Sequence, residues 1–519
     1  MARRGRDADA GAATMTVALA APHQEAVRAG ERAVAAGGNA LDAALAAACT
    51  LTVVYPHQCA LGGDLVALVR SPDGVTTAVV AAGTAPGDIG RLSSGWSAMP
   101  RAGAHSVTVP GLVAGWRELA RLGAALPLDG MFRDAAAVAE EGTRVSAGLE
   151  RALDSRREAV LADPGLRAVF APEGAPLRQG ALLRQPALAA TLRRLAVDPR
   201  DLYAGETAQS IVGTLRAHGG AHTLADFAGY QPETVPAVTR EIGGRAWSVA
   251  PPPSVGAILL GVVQAVAGPG DVEPDPTRVL DASLAGVAAR TVYLGDPRSG
   301  GADLEAMLRL DAGPAAGRRP EPPAHGDTVA VVASDDAGWR VALVQSVFQT
   351  FGAGLLDPGT GVVLHNRGAA FSLDPASPAR LAPGARPPHT LCPVIVHSTE
   401  STVVAGCQGG RAQPWILAQL LSAMTDPAQS LDDVLARPRW VVGDVDLGHA
   451  GLTLVAEPGV GDEVPAAARA HGLPVAWFPA RADSAGHVQV VRTRGERSGV
   501  VFQAASDPRA DGSAVVIPS

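Results

Sequence analysis

The stretch GDTVAVVASDDAGWRVALVQSVF, residues 326–348, is the strongest local indication of the fold. Residues 328–334 and 339–348 are apolar runs rich in β-branched side chains, and Asp335-Asp336-Ala337-Gly338 between them is typical of a tight turn. We therefore predict a β-hairpin here. The segment before it, 313–326, is rich in proline and glycine and is predicted to be exposed and flexible.

Around this hairpin the chain divides into a helix-rich first part and a second part that mixes helices with strands. The predictions rest on apolar periodicity and on the turn residues that bound each run. Helices are predicted at 26–36, 41–54, most of 111–200, 206–220, 255–267, 411–424 and 430–436, and further strands at 65–70, 76–82, 394–396 and 401–406.

Composition excludes several classes of protein. The chain has 519 residues, of which 47% are hydrophobic and 18% charged, so it can bury a large core and is not a disordered protein. The net charge of −8 argues against a nucleic-acid partner. The sequence contains no lysine, which excludes Walker-A NTPases, protein kinases, Schiff-base aldolases and enzymes of pyridoxal phosphate.

No cofactor, metal or membrane segment is predicted. The 4 cysteines lack a C-x-x-C pair, the 12 histidines are scattered, and neither a dinucleotide fingerprint nor a G-x-S-x-G elbow occurs. Apolar stretches are too short or too broken to span a membrane. We expect a cytoplasmic protein whose arginine-containing N-terminal leader is a frayed tail rather than a signal peptide.

Thr328 follows the Pro/Gly-rich segment directly and opens a strand. If the chain were cut before it, Thr328 would carry a hydroxyl nucleophile and a new α-amine on one residue. An α-amine has an unperturbed pKa near 7.7–8.0 and can act as the local base for that hydroxyl. An ordinary threonine at the start of a strand has the same local sequence, so spacing alone leaves both interpretations open.

Nine stretches, taken in order, resemble the gamma-glutamyltranspeptidase family. Each is weak alone, but their common order over roughly residues 16–510 is specific. They are GGNALDAALAA (37–47), PHQCALGGD (56–64), SVTVPGLVAGW (106–116), LYAGETAQSIV (202–212), TLADFAGYQPE (223–233), PPPSVG (251–256), GDTVAVVASDDAG (326–338), FGAGLLDPGTGVVLHNRGAAFSLDP (351–375) and GCQGGRAQP (406–414).

The resemblance implies an α/β (α+β) protein with the four-layered αββα sandwich of the N-terminal-nucleophile hydrolases. It implies self-cleavage before Thr328, which would yield a large subunit (1–327) and a small subunit (328–519) that form a heterodimer, with a further dimerisation left open. Ser346 matches a hydroxyl residue that supports the nucleophile. Gly409 and Gly410 match the oxyanion hole, whose N–H groups face the tetrahedral intermediate.

The residues that bind the glutamyl group in this family are altered. The arginine of the family's Arg-Glu-x-Ala-Pro motif is replaced by Ala82, and the acidic residue before Phe-Ser is replaced by Ala370. The family's Ser-Ser pair is replaced by His389-Thr390. Because losing the partner of a buried charge costs about 2–5 kcal/mol, a γ-glutamyl donor should bind poorly.

New polar residues stand in the same region. Arg367 with Asn366 precedes the lost acidic position, and Arg411 follows the oxyanion glycines. Arginine binds planar carboxylates bidentately, so the site is interpreted as directed at another anionic acyl donor, such as a short keto or oxalyl-type acid. Structural ion pairs would explain the same arginines, and His57 and His389 are as consistent with core histidines as with residues bordering the site.

The sequence therefore predicts a self-processing threonine hydrolase that transfers a small non-glutamyl acyl group to water or an amine, without metal or organic cofactor. Superfamily members without the glutamyl contacts include amide hydrolases and enzymes of actinobacterial specialised metabolism, such as antibiotic biosynthesis, that cleave an acyl C–C bond. The sequence does not distinguish amide cleavage from C–C cleavage. The alternatives are a genuine glutamyl transferase and an unprocessed binding protein.

Overall fold

The structure is a computed structural model that describes residues 15–268, 273–311, 327–444, 447–495 and 499–518. The segment 313–326 and most of the N-terminal leader, for which flexibility was predicted, lie outside these ranges.

Strands alternate along the chain with helices on both sides of Thr328. The strands are β1 (Val17–Ala21), β2 (Asp64–Arg70), β3 (Thr76–Ala81), β4 (Thr143–Arg144), β5 (Leu182–Leu183), β6 (Glu233–Pro236), β7 (Val238–Ile242), β8 (Arg245–Val249), β9 (Asp327–Asp335), β10 (Arg340–Phe348), β11 (Leu356–Asp357), β12 (Val362–Val363), β13 (Val394–His397), β14 (Ser401–Cys407), β15 (Trp440–Gly443), β16 (Thr453–Ala456), β17 (Val475–Trp477), β18 (Val488–Arg494), β19 (Val501–Ser506) and β20 (Ser513–Ile517).

The helices lie mostly before Thr328. They are α1 (Gln24–Ala35), α2 (Ala40–Val54), α3 (Ile89–Ser93), α4 (Leu112–Gly123), α5 (Leu128–Glu141), α6 (Ala147–Ser155), α7 (Arg157–Ala162), α8 (Pro164–Phe170), α9 (Pro186–Val197), α10 (Asp201–Ala204), α11 (Glu206–Ala217), α12 (Leu224–Ala228), α13 (Gly256–Val266), α14 (Pro276–Tyr293), α15 (Leu304–Arg309), α16 (Gln413–Thr425), α17 (Leu431–Ala436) and α18 (Glu463–Ala470).

Two large sheets form the centre of the molecule. The first has the strand order β20-β1-β9-β10-β2-β3-β6 and the second β19-β18-β14-β13-β8-β7. Neighbouring strands in both sheets are antiparallel wherever their register is defined. β9 and β10 therefore lie inside the first sheet, between strands contributed by the N-terminal part of the chain.

Alternating side chains of the strands build four layers. In β9, Val329, Val331 and Ala333 face a helical layer that includes α1, α2, α4 and α5. Ala330 and Val332 face the second sheet instead. The far side of that sheet packs against α13, α14 and α16. Period-two alternation therefore buries both faces of each sheet, and the structure confirms the predicted αββα sandwich.

Local chemistry explains why the predicted helix pair and hairpin form where they do. Asn39 caps α2 by accepting from Leu41 N at 2.9 Å, and Asp42 accepts from Asn39 N at 2.8 Å in a capping box. In the β9–β10 turn, Asp335 Oδ1 accepts from the backbone N–H groups of Gly338 and Trp339, each at 2.9 Å. Both predicted motifs are confirmed to within two residues.

Among the residues that the structure describes, no helix is long and apolar enough to cross a membrane. No cluster of three or more histidine, cysteine, aspartate or glutamate side chains that could hold a metal ion occurs in the same ranges. All four cysteines are buried free thiols.

Candidate active site

A bulge in the β9–β10 ladder places Thr328 opposite two residues of its partner strand. Gln345 pairs with Val329 and Phe348 pairs with Asp327, so Ser346 and the following residue together face Thr328. A bulge of this kind re-aims side chains locally. As a result, Thr328 Oγ1 donates to Ser346 Oγ at 3.2 Å, and both residues are buried.

The Ser346 hydroxyl connects the Thr328 hydroxyl to the carbonyl that precedes Thr328. Ser346 Oγ donates to the carbonyl oxygen of Asp327 at 2.5 Å and accepts from Phe348 N at 2.8 Å. Thr328 O–H, Ser346 O–H and the Asp327 carbonyl thus form one chain of hydrogen bonds. This geometry can carry a proton from the threonine hydroxyl towards the carbonyl oxygen of the Asp327–Thr328 peptide bond.

The backbone after Ser346 adopts conformations that are rare for its residue types. Phe348 has φ = 78° and Phe351 has φ = 57°. Such left-handed conformations persist in non-glycine residues only where the surroundings impose them, and they cluster at functional sites. Gly63 packs against the same segment, since a Cβ atom there would lie 2.5 Å from the Ser346 carbonyl oxygen.

Gly409 and Gly410 lie between the end of β14 and the start of α16. Gly409 has φ = 146° and Gly410 has φ = 53°, a left-handed value that favours glycine. Neither backbone N–H donates to another residue in the parts of the chain that the structure describes. The turn can therefore offer two N–H groups to a developing oxyanion.

A cavity of about 420 Å³ lies beside the Asp327–Thr328 bond. Its walls come from the 56–64 motif, α6, the segment after β10, the glycine turn and the segment 483–484. They include His57, Gln58, Arg151, Ser155, Arg156, Asp327, Thr350, Gln408, Gly409, Arg411 and Asp483. One of the two predicted oxyanion glycines, Gly409, and the residue that precedes Thr328 therefore line the same cavity.

Arg367 is almost completely buried. Its guanidinium lies over the ring of Phe348, with Cζ 3.7 Å from the ring centroid, and donates to Thr390 Oγ1 at 3.1 Å and to the Pro388 carbonyl at 3.3 Å. No carboxylate among the described residues lies within 4 Å of it. Burial lowers the pKa of Arg367 to about 9, so the group remains charged at neutral pH.

The other predicted binding residues have different environments. Thr390 contacts Arg367 as described, and Arg411 lines the cavity with its guanidinium 3.7 Å from Asp444. Asn366 Nδ2 donates to Gln349 Oε1 at 2.6 Å and to the carbonyl of residue 101 at 2.8 Å. Asn366 is therefore held within the protein. Of the predicted binding residues, Arg411 is part of the cavity wall, whereas Asn366, Arg367, His389 and Thr390 are not.

Asp64 is the centre of a buried network that sequence reasoning did not assign. Its Oδ2 lies 3.0 Å from His389 Nε2 and 3.4 Å from His365 Nδ1, and its Oδ1 accepts from Gly83 N at 3.0 Å and Gly111 N at 3.1 Å. Burial alone would raise the pKa of Asp64, but the two histidines hold it well below its usual range. His389 thus contacts a carboxylate of the protein and does not line the cavity.

Thr350 and Arg156 were also missed. Thr350 Oγ1 donates to Asp327 Oδ2, and Arg156 lines the same cavity. Thr350 directly precedes the motif that begins at Phe351, and Arg156 lies between the motifs 106–116 and 202–212, so neither belongs to a quoted motif. The signal for Asp64 was present, since it ends the motif PHQCALGGD.

The free energy of unfolding should decrease in mild acid. Burial lowers the pKa of His57 to about 3 and of His222 and His389 to about 4. The unfolded chain, with histidine pKa values near 6.5, therefore binds more protons between about pH 6.5 and 4, so stability is lost as pH falls through this window. Asp327 has the opposite effect on stability in the uncleaved chain. Burial raises the pKa of its carboxyl group to about 7, so the stability that this group contributes is lost as the pH rises.

Urea unfolding of the uncleavable variant Thr328→Ala at pH 7.0, 6.0 and 5.0 measures this effect. The free energy of unfolding should decrease by about 1 kcal/mol or more per pH unit. His57→Phe removes one titrating group and should make the decrease shallower. An unfolding free energy that stays constant or rises from pH 7 to 5 would contradict the prediction.

Known proteins match this chain over nearly its whole length. The family model described as gamma-glutamyltranspeptidase matches residues 26–517. The oxamate amidohydrolase proenzyme of Klebsiella pneumoniae subsp. pneumoniae is 33% identical over 518 residues, covering 95% of this chain and 97% of that protein. The acylase ACY 1 proenzyme of Pseudomonas sp. (strain SE83) is 29% identical and covers 82% of each chain.

Solved structures also match this chain over nearly its whole length. The crystal structure of the cephalosporin acylase from Bacillus halodurans aligns with a TM-score of 0.85 at 27% identity, covering 100% of this chain and 98% of that one. Sequence motifs, layer order and these matches lead to one conclusion: the chain is an enzyme of the gamma-glutamyltranspeptidase family of N-terminal-nucleophile hydrolases.

Proposed function

We propose that the chain matures by cutting its own Asp327–Thr328 bond, giving subunits 1–327 and 328–519 that stay together as a heterodimer. Two relatives carry the word proenzyme in their names. Association without the peptide link is supported by the sheet order, in which β9 and β10 pair with β1 and β2. Separating the subunits would expose both sheet edges and their apolar faces to water.

Self-cleavage follows from the hydrogen-bonded chain at the bulge. Thr328 Oγ1 attacks the Asp327 carbonyl carbon while its proton passes to Ser346 Oγ, and the Ser346 proton moves to the carbonyl oxygen. The C–N bond then breaks, the nitrogen of Thr328 takes up that proton, and an ester remains on Oγ1. Water hydrolyses the ester, leaving a carboxylate on Asp327 and a free α-amine on Thr328.

The mature enzyme repeats this chemistry on an external amide. The α-amine of Thr328 takes the hydroxyl proton as Oγ1 attacks, and the oxyanion is stabilised by N–H groups of Gly409 and Gly410. The same amine then protonates the leaving amine, and an acyl ester forms. Attack by water releases the carboxylic acid and restores the hydroxyl, whereas attack by an amine would transfer the acyl group.

We propose a small anionic acyl group as the donor, and Arg367 is the observation that carries this proposal. Its buried positive charge has no described carboxylate within 4 Å, although Asp64 favours the charged form from a greater distance, and it lies on Phe348, whose backbone pairs with Asp327. A buried charge without a carboxylate in direct contact is costly, and a substrate carboxylate would supply one. The resemblance to an oxamate amidohydrolase points the same way, towards an oxalyl-type amide.

The relatives' names favour amide cleavage over C–C cleavage. The size of the cavity suggests a second candidate substrate among the amides. Its volume of about 420 Å³ lies in the range of about 300–1,000 Å³ that is typical of pockets for drug-sized ligands. An N-substituted oxamate with a bulky amine half would use this space, whereas oxamate itself would leave most of it to water. We place the enzyme in the cytoplasm, which its free buried thiols support.

Purified enzyme should hydrolyse oxamate or N-phenyloxamate at least about 10²-fold more efficiently than glutathione, measured as kcat/KM. About 2.7 kcal/mol of lost binding gives that factor, and both Ala82 and Ala370 replace charged partners of a glutamyl donor. Ammonia or aniline release and glutamate release report the respective reactions. Preference for N-phenyloxamate would support the acylase-like candidate.

Efficient turnover of glutathione or of a γ-glutamyl anilide would overturn the proposal in favour of a genuine glutamyl transferase. A chain that stays intact on a denaturing gel and hydrolyses none of these amides would favour the unprocessed binding protein.

A further inference from the structure

Asp327, the residue on the acyl side of the bond that is cut, is fixed at two points. Ser346 Oγ donates to its carbonyl oxygen at 2.5 Å. Thr350 Oγ1 donates to its side-chain Oδ2. The side chain is buried although cleavage would make this residue the C-terminus of the large subunit. Two contacts on either side of the Asp327 Cα atom limit rotation about its Cα–C bond.

Both contacts come from the same short segment. Ser346 lies in the bulge, and Thr350 lies four residues further on, just before Phe351. The left-handed φ of 78° at Phe348 turns the chain between them, and Phe348 itself pairs with Asp327. The unusual backbone therefore has a geometric consequence, because it brings the Thr350 hydroxyl back to the carboxyl group of Asp327.

The surroundings of this carboxyl group do not account for its burial. Arg156, Asp483 and His487 are the charged groups that face it, and no ion pair links Arg156 to Asp327 among the described residues. Burying a carboxyl group that no cation contacts directly costs free energy. A fold retains such a cost most readily at a position that serves function.

We propose that the carboxyl group of Asp327 and the hydroxyl of Thr350 form a clamp that positions the scissile carbonyl for self-cleavage. The clamp holds the carbonyl carbon towards Thr328 Oγ1 while its oxygen stays on Ser346. It exchanges no protons or bonds in the reaction, so Thr350 is a positioning residue. The inference rests on the self-cleavage proposed above and adds a requirement for the residue before the cut.

The rate of self-cleavage tests the clamp, followed on denaturing gels after rapid purification or after synthesis in a cell-free system. Thr350→Val and Asp327→Ala should each slow cleavage by about 10- to 100-fold, the size expected for one charge-assisted hydrogen bond. Thr350→Ser and Asp327→Asn keep a donor and an acceptor and should cleave within about threefold of the wild-type rate. The double variant should be no slower than the slower single variant.

A matched control is Thr360→Val, which removes a similar hydroxyl-to-carboxylate bond, Thr360 Oγ1 to Asp357 Oδ2 at 2.5 Å, away from the cut. It should cleave at the wild-type rate. Introduced into Thr328→Ala, the Thr350 and Asp327 changes should leave the unfolding temperature within a few degrees, which separates positioning from misfolding.

If the wild-type chain cleaves and the Thr350→Val and Asp327→Ala variants cleave equally fast, the clamp is overturned while the proposed function stands. Slow cleavage in Thr350→Ser as well as Thr350→Val would also overturn it, because the retained hydroxyl should rescue the rate. A wild-type chain that never cleaves would instead overturn the proposed function.

Discussion

Thr328→Ala should remain a single chain of 519 residues and hydrolyse no amide. The substitution removes Oγ1, the atom that attacks both the Asp327 carbonyl and the external substrate, so no ester can form in either reaction. The Ser346 hydroxyl cannot take its place, because its hydrogen bond to the Asp327 carbonyl holds it at the oxygen rather than the carbon. Denaturing gels, intact-mass measurement and the oxamate assay report both losses.

Thr328→Ser is the matched control, because it keeps a hydroxyl at the same position and should still yield two subunits. N-terminal sequencing of the small subunit should begin at residue 328. Two normal subunits from Thr328→Ala would show that the cut, and with it the nucleophile, lies elsewhere.

Arg367→Ala should lower kcat/KM for the anionic amide by about 10²-fold and leave self-cleavage unchanged. The guanidinium is a buried cation that lies on the Phe348 ring, and losing a charged partner inside a protein costs about 2–5 kcal/mol. The cleavage reaction uses no contact of this side chain, since its hydrogen bonds go to Thr390 and the Pro388 carbonyl. Steady-state kinetics and gels measure the two effects separately.

Arg367→Lys should recover only part of the loss, because an ammonium group cannot bind a carboxylate bidentately. Arg492→Ala provides a control for the loss of a buried arginine elsewhere. Its guanidinium donates to the carbonyls of Met424, Asp426 and residue 429, so the change should lower the unfolding temperature without altering kcat/KM. Unchanged kinetics in Arg367→Ala would assign that arginine a structural role only.

Local patterns predicted the elements around the site well, because each was set by its own side chains. Asn39 and Asp42 cap α2, and the Asp335 turn closes the β9–β10 hairpin with contacts a few residues apart. Strands such as β1 and β20 were not predicted. Their pairing joins the two ends of the described chain, Val17 to Ile517, and no short window of sequence contains that information.

The residues around Thr328 were likewise predicted in part from the sequence and found in part only in the structure. Ordered motifs identified Thr328, Ser346, Gly409 and Gly410 as candidates, and their roles remain predictions. The structure shows the first two in contact and the glycine turn beside the same cavity. It also shows that His389 faces Asp64, a partner 325 residues away in sequence.

The sequence by itself determined the family, the sandwich architecture and the threonine at which the chain is expected to cut. These follow from the resemblance that the ordered motifs carry, whereas strand and helix periodicity predicted only the individual elements. Only the tertiary structure decided which polar side chains meet. Asp64 contacts His365 and His389 and acts on Arg367 only from beyond 4 Å, and such pairing depends on which distant segments the two sheets bring together.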